Sequence, residues 1–234
     1  MSWVLIGLAV VAGLVVLWFT AMIVVALVET THVCELAPAA GAGAPPPPPY
    51  VAAMSAQAAA AGYAPAAYLR HIKHAIVVAL HVSPDRRTLA AIAGGTLLRI
   101  PVKRTVLLSR LTNEKILKTT DEMGLSDLTG LYARQLVVNA SFAELRDAHD
   151  RWLAEAGDLV ASYGDADPVA AYLAMDAEDA ERQVAFGYSR YLDAGRTRFR
   201  HTLKGALTIA FRGFGQGMAE ASKQRDRMDL PRPG

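Results

Sequence analysis

Ala75-Ile76-Val77-Val78-Ala79-Leu80-His81-Val82-Ser83-Pro84-Asp85-Arg86-Arg87-Thr88-Leu89-Ala90-Ala91-Ile92-Ala93 reads as an apolar run, a turn and a second apolar run, and that order makes the folded part of the chain β-rich. Ile76, Val77 and Val78 are β-branched, so their χ1 angles are stiff and they suit a pleated surface better than a helix. Pro84 pre-sets φ at the second position of a Ser83–Arg86 type I turn, and the chain returns as a strand from Arg87 to Ala93. Gly94-Gly95 is expected to break that strand, Leu97 to Ile100 to form a short one, and Pro101 to confine the next piece to an edge or a beginning.

Working outward, Arg104 to Leu111 and Lys115 to Thr120 flank Thr112-Asn113-Glu114 and predict a hairpin, with a last strand at Gln135 to Asn139. The stretch Ser83 to Ala90 resembles the strand and turn of WD40-type propeller blades. A propeller repeats that unit every ~40 to 45 residues, and no second copy occurs, so the expectation is one small antiparallel sheet.

Helices follow the strands. Ser141-Phe142-Ala143-Glu144 is a capping box, in which the Ser hydroxyl and the Glu carboxylate each satisfy an amide that the first helical turn leaves unpaired. Phe142, Leu145, Ala148, Trp152 and Leu153 then recur at helical spacing, and Gly157 provides the stop. Pro168 opens a second helix expected to reach Leu192, with Asp176, Glu178, Asp179 and Glu181 on its acidic side. After Asp193-Ala194-Gly195 a third helix is expected from about Thr197, with Leu203, Leu207, Ala210, Phe211 and Phe214 on its apolar side and Arg198, Arg200, Lys204 and Arg212 beside them.

The N-terminal part obeys different rules. From Trp3 to Val28 there is no charged residue or histidine, and at about 1.5 Å per residue a helix of that length reaches roughly 39 Å, more than the ~30 Å of a hydrocarbon layer. A cleavable signal would have a basic leader and a shorter apolar core, so the segment reads as a retained transmembrane helix. No Lys or Arg precedes Arg70, which leaves its orientation open under the positive-inside rule. Gly7, Ala9, Gly13 and Ala21 would let a second helix approach closely, a route to a protein partner or homo-oligomer. Ala37 to Gly43 and the run Pro45 to Pro49 carry no apolar periodicity and predict a polyproline-type spacer, with residues 52–61 helical beyond it.

The predicted organisation is therefore α+β. A membrane anchor at 1–30 is followed by an Ala/Pro-rich linker at 31–62 and an antiparallel sheet domain closed by a helix at 63–158. A C-terminal helical hairpin with a basic tail occupies 159–234.

Charge is laid out in blocks. Residues 70–140 hold eleven basic and five acidic residues (net +6), 141–195 hold four and twelve (−8), and 196–234 hold nine and three (+6). A nucleic-acid module concentrates one basic face and interleaves aromatics for stacking, whereas these blocks read as basic and acidic segments lying against one another. Nucleic acid is accordingly not expected as a partner.

The sequence names no reaction. His71 and His74 are three residues apart but have no thiolate or carboxylate third ligand at metal spacing, and no nucleophile elbow or phosphate loop occurs, so neither metal nor cofactor is expected. Asp147, His149 and Asp150 read as a solvated helix face. Three functional readings remain. The first is a non-enzymatic membrane protein serving protein interaction or envelope organisation, in a bacterial cytoplasmic membrane by its Ala- and Arg-rich composition. The second is a tethered hydrolase drawing acid and base from His71, His74, Asp85 or Asp121. The third is an anionic-lipid binder contacting the bilayer through Arg198, Arg200, Lys204, Phe211, Arg212 and Phe214.

Overall fold

A computed structural model describes residues 3–28, 30–32, 36–38, 46–71, 75–97, 100–121, 127–157 and 160–212. The chain is mixed α/β and divides into two compact units, Cys34–Asp179 and a smaller one made of Met1–Val33 with Ala180–Gly234.

The larger unit is built on β3 (Ala64–His71), β4 (Ala75–Val82), β5 (Leu89–Leu97), β6 (Ile100–Arg110), β7 (Ile116–Thr120) and β8 (Tyr132–Leu136). These six lie in sequence order, and the three residues of β2 (Leu36–Pro38) extend the sheet beyond β3 to seven strands. From β2 to β7 every pairing is antiparallel, while β8 lies parallel to β7. The expected all-antiparallel sheet is corrected at that edge. At the start of β8, Asp127 accepts the Tyr132 amide at 2.9 Å.

Helices cover both faces. On one face Ala79, Ile92 and Leu107 meet Val51, Met54 and Ala58 of α2 (Pro49–Ala60) and Phe142 and Leu145 of α3 (Phe142–Ala156). On the other, Leu69, Val78, Leu80 and Ala91 meet Val169 and Tyr172, and Leu89, Val106, Leu108 and Ile116 meet Met175, all on α4 (Pro168–Ala185). A strand covered on both sides needs apolar residues at every position, which is why β4 lacks the alternation of a half-solvated strand.

Several expectations hold in detail. Strand β4 has the predicted limits, the hairpin β6–β7 forms, and Ser141 and Glu144 make both bonds of the capping box, with Gly157 as C-cap at φ 59°. Others are corrected. Strand β5 passes through Gly94 and Gly95, because a Cβ at Gly94 would lie 2.6 Å from Val51 and one at Gly95 1.9 Å from the Ala75 carbonyl oxygen. The glycines let a helix and a neighbouring strand close on β5. The helix expected over residues 52–61 forms and begins earlier, at Pro49. Proline-capped α2 is packed into the core, and its Gln57 Oε1 accepts the Phe142 amide at 3.0 Å.

The smaller unit contains α1 (Trp3–Val28), a three-stranded sheet ordered β1 (Thr31–His32), β10 (Arg198–His201), β9 (Ser189–Tyr191), and a last helix, α5, over the described residues 203–212. The expected helical hairpin is thus interrupted. α4 stops at Ala185, Gly187 takes φ 71°, and a β-hairpin stands where a third helix from Thr197 was predicted. Asp193 explains the turn, accepting from Thr197 Oγ1 at 2.6 Å and from the Arg198 amide at 2.8 Å, with Arg196 at φ 54°. Gly213 to Gly217 lie outside the described residues.

Candidate functional site

The residues proposed for acid/base work are not gathered. His71 ends β3 and Asp85 sits in the β4–β5 turn, at opposite ends of β4. Asp121 accepts from Tyr50 Oη at 2.5 Å and from the Thr105 amide at 2.7 Å, and Thr105 pairs across β5 toward the middle of β4. Asp85 is a turn residue, accepting from Ser83 Oγ at 2.6 Å and the Arg87 amide at 3.1 Å. His74 lies outside the described residues.

A different group of polar residues does converge. His149, read from sequence as part of a solvated face, is fully buried, with Ser109 Oγ 3.0 Å from Nε2 and Thr119 Oγ1 2.8 Å from Nδ1. Thr88 Oγ1 lies 3.0 Å from the Ser109 hydroxyl, which itself donates to the Arg87 carbonyl at 2.7 Å. Because the Ser109 proton is directed to that carbonyl, the hydrogen-bond pattern assigns the ring proton to Nε2 and leaves Nδ1 to accept from Thr119. A nucleophilic Ser–His pair needs the opposite, an unprotonated nitrogen facing the hydroxyl. Burial lowers the His149 pKa to about 4, so the imidazole is neutral at physiological pH. Ser109 and Thr119 are also fully buried. The cluster ties α3 to β6, β7 and the two residues that lead into β5.

The basic and acidic blocks come together in the larger unit. Arg110 binds Glu178 at 2.7 Å, and Thr129 Oγ1 donates to Asp179 at 2.9 Å. Lys118 on β7 stands over the Tyr132 ring, 5.0 Å from its centroid. Its pKa falls to about 8, first through burial, then through Arg104 and Arg134, with Asp176 and Asp179 opposing the fall. Tyr132 and Tyr172 are pushed up, chiefly by burial and by Asp176. Among the described residues no group of three or more His, Cys, Asp or Glu is placed to hold a metal ion.

The proposed lipid contacts fall in the smaller unit, and the structure sorts them. Arg200 Nη2 donates to Thr30 Oγ1 at 3.0 Å, and Lys204 donates to the Phe186 carbonyl at 2.7 Å while lying 4.8 Å from the Tyr188 ring centroid. These two cations already have protein partners. Arg198 is exposed on β10 and not on a helix, and Arg212 and Phe211 are exposed on α5. The Phe211 ring centroid is 5.4 Å from that of Phe19 on α1. Phe214 lies outside the described residues. The span Ile6–Val28 is long and apolar enough to cross a membrane. Ile6 to Trp18 are exposed, whereas Phe19, Met22, Ile23, Ala26 and Leu27 are covered at helical spacing.

Comparison with protein-family models, with curated proteins and with solved structures found no match to this chain.

Proposed function

We propose that the chain is a single-pass membrane protein whose α/β unit is a non-enzymatic binding module, working with a protein partner or in envelope organisation at a bacterial cytoplasmic membrane. One observation carries the reading: α1 exposes apolar side chains from Ile6 to Trp18 and commits its last third to a folded unit. A signal sequence destined for removal has no use for such a unit, yet Thr31 and His32 pair with Phe199 and Arg198 directly after α1, and Phe19 meets Phe211. In water the exposed stretch would be a large apolar liability, and lipid removes it.

The non-enzymatic part of the reading draws on the His149 cluster, where the residues best suited to nucleophilic chemistry, Ser109 and His149, are sealed from solvent and Ser109 directs its proton to the Arg87 carbonyl. The test is alkaline carbonate extraction of membranes carrying the full-length chain, with N-terminal sequencing of the recovered protein. The chain is expected in the pellet with its N-terminus before Ile6. Release into the supernatant, or a mature N-terminus beyond Val28, overturns the reading.

A further inference from the structure

We infer that α5 is a second membrane element, running back along α1 into the headgroup–acyl boundary of a phospholipid bilayer and turning Leu203, Leu207 and Phe211 toward lipid. This rests on the anchored reading of α1.

Two contacts fix the direction of α5. Just before the helix, Arg200 bonds Thr30, which lies beyond the end of α1; near its described end, Phe211 meets Phe19, nine residues before that end. Moving from Arg200 to Phe211 therefore means travelling back down α1 from outside its C-terminus. The lengths are compatible: Phe19 to Thr30 covers roughly 16 Å of axial rise, the eight rises from Leu203 to Phe211 cover about 12 Å, and the remaining ~4 Å is within the reach of the extended lead-in from Arg200.

Depth follows from the anchor. With Trp3 at the far interface, where aromatic rings prefer to sit, ~30 Å of hydrocarbon is used up after ~20 residues, near Met22. The remainder of α1 clears the acyl layer, and that is where β10 and α5 cover it. Phe19 then lies roughly 5 Å inside the boundary, within the ~5 to 10 Å at which interfacial helices bury their apolar side.

The surface of α5 suits this position. Ala206, Ile209 and Ala210 are buried, while Leu203 is 59% exposed and Phe211 66% exposed, with Leu207 between them on the same stripe. Lys204, Thr208 and Arg212 form the adjoining stripe one residue on, so a polar edge runs beside the apolar one. The exposed stripe continues the apolar surface of α1 through the Phe19–Phe211 contact, and lipid is the occupant that covers both. Electrostatic capture through Arg200 and Lys204 is not needed, since both are engaged within the protein.

The experiment uses the full-length chain with Cys34→Ser, carrying Leu203→Cys, Leu207→Cys or Phe211→Cys one at a time, each labelled with a polarity-sensitive fluorophore and reconstituted into phosphatidylcholine–phosphatidylglycerol vesicles. Leu203 and Leu207 lie outside the packed side of α5, so their replacement leaves it intact; Phe211→Cys also removes the ring contact with Phe19, and Leu203→Cys and Leu207→Cys decide the outcome where the three differ. A blue shift is expected at all three sites, with loss of emission to acyl-chain nitroxide lipids increasing from Leu203 to Phe211. Emission typical of water, quenched by aqueous iodide, overturns the proposal. So does a blue shift that nitroxide lipids do not quench, which would instead indicate a protein partner or second copy on the stripe. Carbonate resistance of the same samples separates the two readings: a carbonate-resistant protein with a water-exposed α5 loses only the second element, whereas a carbonate-extracted one loses the anchor and the inference together.

Discussion

Ser109 Oγ and His149 Nε2 are 3.0 Å apart, and neither residue reaches solvent. The neutral imidazole has a thermodynamic consequence. Its pKa is about 4 in the fold against 6.5 for the free side chain, so as pH falls through 6.5 the unfolded chain binds a proton that the folded chain refuses. Stability contributed by the neutral ring is complete above that pH and is lost progressively toward pH 4, by up to about 3 kcal/mol. His81, whose pKa burial also lowers, acts in the same sense. His149→Gln should lower stability at neutral pH by about 1 to 3 kcal/mol, because Ser109 and Thr119 lose a matched partner, and should flatten the acid slope. Urea midpoints of both proteins in detergent, compared at neutral and mildly acidic pH, check this. Equal acid losses would mean that the ring is solvated.

Lys118 supplies a prediction of the same sign at alkaline pH. Its folded pKa of about 8 lies below the ordinary 10.5, so the unfolded chain holds the proton more tightly, and stability rises as pH climbs from 8 toward 10.5. At neutral pH the charged ammonium is held beneath α4 beside Arg104 and Arg134, with Asp176 and Asp179 as its compensation. Lys118→Met should therefore raise the neutral-pH urea midpoint, since an apolar chain of similar length avoids the desolvation. Asp176→Asn should lower it. A destabilised Lys118→Met would show that the Tyr132 contact outweighs burial.

How much of this was legible depends on whether a segment's pattern is its own or its neighbours'. β4 and the Ser141 cap carry their signals locally, in β-branched residues and in a four-residue hydrogen-bonding motif. β3 does not: Ala64 to His71 contains Pro65 and three alanines, and it becomes a strand through pairing with β4, with a register shift between Pro65 and Ala67. α2 is so uniformly alanine-rich that no stripe marks its buried side, and the clue lies forty residues away in Gly94. His149 was legible in principle, since it follows Leu145 and Ala148 at the spacing of the buried stripe. The flanking Asp147 and Asp150 drew the reading toward solvent. β10 alternates Arg198, Phe199, Arg200 and His201 with the period of a strand, but Leu203 and Leu207 behind it extended the helical pattern too far forward.

The packing of α2 makes residues 49–60 testable as part of the larger unit. Met54 and Val51 are buried against β5 and α3. Met54→Ala leaves a cavity where the surrounding sheet cannot collapse, and should cost about 2 to 4 kcal/mol. Gln57→Ala should add a smaller loss of about 1 kcal/mol by removing the acceptor of the Phe142 amide. If the segment were a detached spacer, both variants would unfold at the same denaturant concentration as the parent.

Gly205 gives the sharpest test of how α5 is seated. A Cβ there would lie 1.9 Å from the Tyr188 carbonyl oxygen and 2.8 Å from its carbonyl carbon, distances that backbone cannot yield to by rotating a side chain. The same stretch of backbone is held from the other side, since Thr202 donates its amide to Tyr188 O at 2.9 Å and its hydroxyl to Gly187 O at 2.8 Å. Gly205→Ala would ordinarily favour a helix by about 1 kcal/mol. Here it should instead push α5 away from Tyr188, breaking the Lys204 contact with that ring and the bond to Phe186 O. Protease sensitivity after Lys204 in membranes should then rise sharply, while the urea midpoint of the α/β unit stays at the parent value. Leu207→Ala, on the exposed stripe, should change neither, so a protease-resistant Gly205→Ala chain would place α5 elsewhere.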